Sequence, residues 1–261
     1  MTQSAAEERF RLDRGDGVHL AARRLGGRGP VLIFLPGFAS DMAGTKAAML
    51  AEFAASRGQA LLRLDYSGHG ESEGAFTEGT IGRWAADAGF LIDRLVTGPR
   101  VLIGSSMGGW IALLLARAMA ARGAGGDLAG LVGIAAAPDF TERLIRPALS
   151  AAQRAALARD GRIDLPNPYG PPTPITAALL ADGAVQSVLD QPIPLACPVR
   201  LMHGQRDAEV PWQTALDIAA AVTAADTRTI LIKDGDHRLS REEDLRLLRR
   251  VLRGVIGKDG F

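Results

Sequence analysis

Apolar runs alternate with amphipathic stretches along most of the chain. Short aliphatic or β-branched runs occupy residues 18–25, 31–35, 60–64, 101–103, 131–135, 199–203 and 229–233, and their length and composition predict strands. Several are uninterrupted apolar, the pattern of strands covered on both faces. Between them, apolar residues recur with helical spacing over 45–56, 84–95, 107–121, 214–222 and 241–255, which predicts helices. Strands alternating with helices predict an α/β fold, a mostly parallel central sheet with helices on both faces. No internal repeat is visible.

The rhythm breaks between Pro138 and Pro198. This stretch holds a helix-like segment at 147–159, a proline-rich run at 165–174 and a shorter helical piece at 175–189. It is too long for an ordinary crossover between two sheet strands. The expected organisation is a single domain, with a core of residues 1–138 and 196–261 and a cap, 139–195, inserted over the C-terminal strand ends. A longer route around the sheet edge is the alternative.

Composition narrows the classes. The 261 residues carry a formal net charge of +1, which argues against a nucleic-acid partner, because phosphate binding needs a one-signed basic surface. Cys197 is the single cysteine, so no intrachain disulfide forms; before Pro198 and an apolar run it reads as a small buried hydrophobe. Residues 1–10 show neither the apolar core of a secretion signal nor an Arg-rich transit pattern. The most lipid-like stretch, 111–121, is broken by Arg117 and is too short to span a bilayer. A cytoplasmic chain with no membrane span is expected. Composition leaves the oligomeric state open.

The chemistry centres on Gly104-Ser105-Ser106-Met107-Gly108, between an apolar run and a long helical pattern. A bare G-x-S-x-G is a weak signal; between a strand and a helix it describes a sharp turn that exposes the central serine. The helix start behind it favours negative charge. The spacing selects Ser106 over Ser105 as nucleophile. A serine hydroxyl needs a general base, usually a histidine oriented by a carboxylate. Of the four histidines, only His203 and His237 follow the serine. In this motif class the order is serine, acid, histidine, which selects Asp207 as the acid and His237 as the base. His203 as base would leave too little chain for an intervening acid. Asp234 and Asp236 read as turn residues, His69 as structural in a glycine-rich turn, and His19 as part of an early edge strand. Two backbone N–H groups are expected to hold the oxyanion: Met107, directly after the nucleophile, and Phe38, in the loop after the 31–35 strand.

These residues resemble the α/β-hydrolase superfamily. Within it they are similar to the mitochondrial palmitoyl-protein thioesterase group, also described as acyl-glucuronide esterases. The resemblance rests on Pro36-Gly-Phe38, Gly44-Thr-Lys46, Asp65-Tyr-Ser-Gly68, Gly104 to Trp110, Cys197 to Gly204, Val210-Pro-Trp212 and Asp236-His-Arg238. It implies the α/β-hydrolase fold, carries the triad onto Ser106, Asp207 and His237, and carries the oxyanion loop onto Phe38. It is weakest across 138–194. A serine at the elbow also sets the chain apart from the dehalogenases and epoxide hydrolases of this fold, which use aspartate there. The expected activity is cleavage of a carboxylic ester or thioester with a medium or long acyl chain, on a small molecule or an acylated protein. No metal or organic cofactor is expected. The alternatives are another triad reaction (acyl transfer, C–C hydrolysis or peptide cleavage) or, from another class, a non-catalytic ligand-binding protein on the same fold.

Overall fold

The seven apolar runs and one further strand build an eight-stranded sheet of order β1-β2-β4-β3-β5-β6-β9-β10. The computed structural model describes residues 7–167 and 170–257. The strands are β1 (Glu8–Asp13), β2 (His19–Leu25), β3 (Arg28–Leu35), β4 (Gln59–Leu64), β5 (Arg100–Ser105), β6 (Leu128–Ile134), β9 (Val199–Gly204) and β10 (Thr227–Ile232). From β4 to β10 neighbours run parallel, while β1 and β2 are antiparallel additions at one side. Every apolar run that predicts a strand lies on one.

Alternation along each central strand supplies two cores. Ile33, Leu35, Leu102 and Leu131 face α2 (Ile81–Leu95), α3 (Met107–Ala121) and α7 (Gln213–Ala221). Leu32, Phe34, Val101, Ile103, Val132 and Ile134 face α1 (Thr45–Arg57) and α8 (Glu242–Ile256). The helix α3 is buried along most of its length, from Met107 to Met119, as befits the centre of a three-layer fold. The helix α8 is amphipathic and buries only its Leu248, Val251, Leu252 and Val255 stripe. After β3 the chain turns to one side to form β4, and then crosses to the other side for β5. That reversal opens a crevice at the carboxyl ends of β3 and β5, where ligands of open α/β sheets bind.

One expectation about the sheet needs correction. The sheet ends at β1, not at β2, so His19 belongs to an internal strand. Glu8–Asp13 shows no apolar run because it is an edge: Phe10 and Leu12 are half-buried and its charged residues are exposed. Residues 1–6 of the polar N-terminal stretch lie outside the described residues.

The segment between β6 and β9 is also more divided than its pattern suggests. A π-helical turn, Thr141–Ile145, runs into α4 (Arg146–Ala148). The helix expected over 147–159 is interrupted at Ser150, whose side chain forms a capping box with Gln153 and starts α5 (Ala151–Asp160). The proline-rich run carries an antiparallel pair, β7 (Arg162–Leu165) with β8 (Thr173–Thr176); Pro168 and Tyr169 lie outside the described residues. Thr176 then caps α6 (Ala177–Val185), which is shorter than the 175–189 pattern.

Candidate active site

The turn after β5 is built for one serine. Ser106 sits at φ 52° and ψ −120°, a costly conformation for a residue with a Cβ that persists only where its surroundings hold it. They do so here: the Ser106 N–H donates to the Ile134 carbonyl at 2.9 Å, and the Ser106 carbonyl accepts from Gly109 at 2.8 Å and Ala137 at 3.1 Å. Glycine is required on both sides. A Cβ on Gly104 would stand 2.2 Å from the Gly108 carbonyl oxygen, and one on Gly108 would stand 2.0 Å from that of Leu35. Ser105, by contrast, is buried in the strand.

The other two predicted side chains meet Ser106 from the ends of β9 and β10. His237 Nε2 lies 3.1 Å from Ser106 Oγ, and its Nδ1 lies 2.7 Å from Asp207 Oδ2. The Asp207 side chain is fully buried and that of His237 is 13% exposed, beside the cavity. The backbone N–H groups of Glu209 and Val210 donate to Asp207 Oδ1 at 2.9 and 2.8 Å. Burial pushes the Asp207 carboxyl up, but hydrogen bonds from His203, His237 and the Val210 N–H outweigh it and hold the carboxyl well below the usual carboxylate range. Asp207 is therefore ionised at neutral pH. Glu209 brings a second carboxylate to 3.9 Å from His237 Nε2.

The expected oxyanion donors flank Ser106. Met107 opens α3, where the first N–H groups have no intrahelical partner. Phe38 follows Gly37, whose backbone comes so close that a Cβ there would stand 3.3 Å from Ser106 Cβ. The Tyr66 hydroxyl donates to the Pro36 carbonyl at 3.1 Å and ties this loop to the end of β4. The Phe38 ring packs with Phe76, Trp84 and Phe140 at centroid distances of 5.1–5.7 Å.

A cavity of about 490 Å³ opens over Ser106 and His237. Its lining includes apolar residues, among them Phe38, Phe140, Leu144, Ile145, Leu165 and Ile175, and polar ones, among them Ser40, Thr45, Lys46, Asn167, Thr173 and Ser240. The Lys46 ammonium donates to the Arg238 carbonyl, next to His237. Burial, helped by the Arg238 charge, lowers its pKa to about 8. Among the described residues, no group of three or more His, Cys, Asp or Glu side chains could hold a metal ion. Nor is any described helix long and apolar enough to cross a membrane.

The rival residues fall elsewhere. His69 is buried against Tyr66, Phe76 and Trp84, and burial lowers its pKa. Asp236 accepts from the Leu239 N–H, as a turn residue does. Asp234 instead pairs with Arg241 across the surface. Cys197 is buried, and its burial pushes the thiol up. The residue that sequence reasoning missed is His203, whose Nε2 lies 3.0 Å from Asp207 Oδ2. The available signal was its place in a buried strand, four residues before the acid.

Comparison with known proteins places this geometry in context. The sequence pattern of the Alpha/beta hydrolase family matches residues 32–250. The mitochondrial palmitoyl-protein thioesterase ABHD10 of Mus musculus is 37% identical over 249 residues, 95% of this chain and 82% of that protein. The crystal structure of a protein from Agrobacterium vitis S4, assigned to the hydrolases, superposes with a TM-score of 0.92 at 40% identity, covering 97% of this chain and 100% of the other. The structure of mouse alpha/beta hydrolase domain-containing protein 10 gives 0.84 at 36%, covering 94% and 96%.

Proposed function

The chain belongs to the Alpha/beta hydrolase family and is a hydrolase, and on that premise we propose that it cleaves carboxylic esters or thioesters through an acyl-enzyme on Ser106. The observation that carries this reading is the continuous relay from Asp207 through His237 to Ser106, with links of 2.7 and 3.1 Å. Ser106 Oγ attacks the acyl carbonyl carbon while its proton passes to His237 Nε2. Ionised Asp207 holds Nδ1–H, fixes the tautomer and stabilises the imidazolium. The tetrahedral oxyanion is held by the N–H groups of Met107 and Phe38, each worth about 3–4 kcal/mol by analogy with such donors. His237 then protonates the departing alcohol or thiol. In the second half it deprotonates a water that attacks the acyl-enzyme, releases the acid and restores Ser106.

The segment 139–195 acts in this proposal as a cap. Its apolar residues form the acyl side of the cavity, and the polar rim at Ser40, Thr45 and Lys46 takes the leaving group. The thioesterase named among the relatives favours a thioester bond and a long acyl chain, on a small molecule or an acylated protein. Two measurements test the reading. A fluorophosphonate probe should label the parent and fail on Ser106→Ala. A substrate panel crossing acyl length with oxygen or sulfur leaving groups should show turnover that rises with chain length. A protein that neither takes the probe nor turns over any member of the panel is not a serine hydrolase.

A further inference from the structure

His203 is a fully buried titratable side chain that the mechanism above does not use. Its Nε2 faces two acceptors, Asp207 Oδ2 at 3.0 Å and the Val210 carbonyl oxygen at 3.1 Å. Neither an ionised carboxylate nor a carbonyl can donate, so Nε2 carries the hydrogen. Its Nδ1 is buried with no hydrogen-bond partner among the described residues. The ring is thus committed as an Nε2–H donor, which also removes it as a rival base.

We propose that His203 is a positioning residue of the triad: as an Nε2–H donor it fixes the Asp207 oxygen that receives His237 and ties the acid to the pocket wall at Val210. The proposal rests on the triad reading given above. Asp207 Oδ2 accepts from both His203 and His237, while Oδ1 accepts from the Glu209 and Val210 N–H groups. A carboxylate has about four acceptor sites, and here each has a donor. Three of those donors come from the same β9 strand and following loop, so the carboxylate plane is set before His237 arrives from the β10 loop. Val210 closes the ring: its N–H donates to Oδ1 while its carbonyl shares the His203 proton, and its side chain lines the cavity. Without His203, Oδ2 keeps one donor and the carboxylate can turn about χ2. Misplacement on that scale costs rate but not substrate binding, because His203 does not line the cavity.

The test compares His203→Gln with His203→Asn in the full chain. Both are neutral amides, but only the longer side chain can bring an N–H to the place of Nε2. Gln should keep kcat within about threefold of the parent, whereas Asn should lower kcat about ten- to a hundredfold with KM within twofold. Circular dichroism and thermal melts of both variants establish that each is folded. Equal kcat for folded Gln and Asn variants, or a loss that appears mainly in KM, overturns the proposal. If the Asn variant does not fold, His203→Gln against His203→Met at matched folded fraction gives the same contrast. Ser106→Ala run in parallel separates the two claims: residual turnover there overturns the triad itself, while an inactive Ser106→Ala with equal Gln and Asn variants overturns only the role of His203.

Discussion

At the scale of single residues, the proposal assigns one nucleophile and one acid, and neighbours of the same type serve as controls. Ser106→Ala should lower kcat by about 10⁴–10⁶ with the melting temperature near that of the parent. Ser105→Ala should stay within about tenfold, since Ser105 is buried in β5. A dead Ser105→Ala beside an active Ser106→Ala would shift the elbow by one residue. Asp207→Asn should cost about 10³–10⁴ in kcat, because the amide cannot impose the same tautomer on His237. Asp236→Asn keeps an acceptor for Leu239, and Asp234→Asn gives up only a surface pair with Arg241, so both should be mild. A severe loss at Asp236 with Asp207→Asn active would move the acid to the last loop. That Ser106, Asp207 and His237 come together was legible because a glycine-flanked serine followed by an aspartate and then a histidine is a local, one-dimensional signal. The contact of His203 with Asp207 was not, because it depends on which way a buried ring points.

At the scale of elements, what the pattern revealed was burial, and elements without much of it were missed. Central strands such as β5 and β9 are buried throughout and stand out as apolar runs. The strand β1 buries part of Phe10 and Leu12 only, and β7–β8 is a four-residue pairing in a proline-rich stretch, so neither raises a period above its surroundings. The helix α1 was legible, but the cost of its start was not. Gly44 offers no side-chain cap, no acidic residue stands in the first turn, and Lys46 places a cation at the positive end of the helix dipole. Because the folded-state pKa of Lys46 is lowered to about 8, the unfolded chain binds its proton more tightly, with a reference value near 10.4. Folding is therefore penalised below about pH 8, and that penalty fades as pH rises towards 10.4. Lys46→Met keeps the stem and removes the charge. Its melting temperature minus that of the parent should be level below about pH 8 and fall between there and about 10.4. A difference that stays constant across that range would mean that the ammonium is as well solvated in the fold as in the open chain.

At the scale of the whole molecule, the question is how segment 139–195 meets the sheet. Asp139 accepts from Ser187 Oγ and from the Val188 and Leu189 N–H groups at 2.9–3.1 Å, so the start and end of the segment are pinned together. The Trp110 indole donates to the Gln186 carbonyl, and the Gly82 N–H donates to Asp182, which fastens α6 to α2 and α3. An anchored segment makes a wall of fixed shape. The hydropathy pattern showed many apolar residues here but could not say which of them pack and which face the cavity, since both are apolar. Leu144 and Ile145 line it, as do Phe140 and Ile175, which are also buried in the core, while Leu149, Leu179 and Leu180 are core residues that do not line it. That division predicts two kinds of variant. Leu144→Trp, Ile145→Trp and Leu165→Trp fill the apolar side of the cavity with ring volume. Each should penalise kcat/KM for a long acyl ester by an extra 1–3 kcal/mol, about the scale of overpacking, and spare an acetyl or butyryl ester. Leu179→Trp and Leu180→Trp have no cavity to enter. They should lower the melting temperature and reduce activity on long and short esters alike. If the cavity-facing variants also shift both substrates equally, the acyl chain does not run beneath this segment, and the polar rim at Thr45 and Lys46 becomes the place to look for its path.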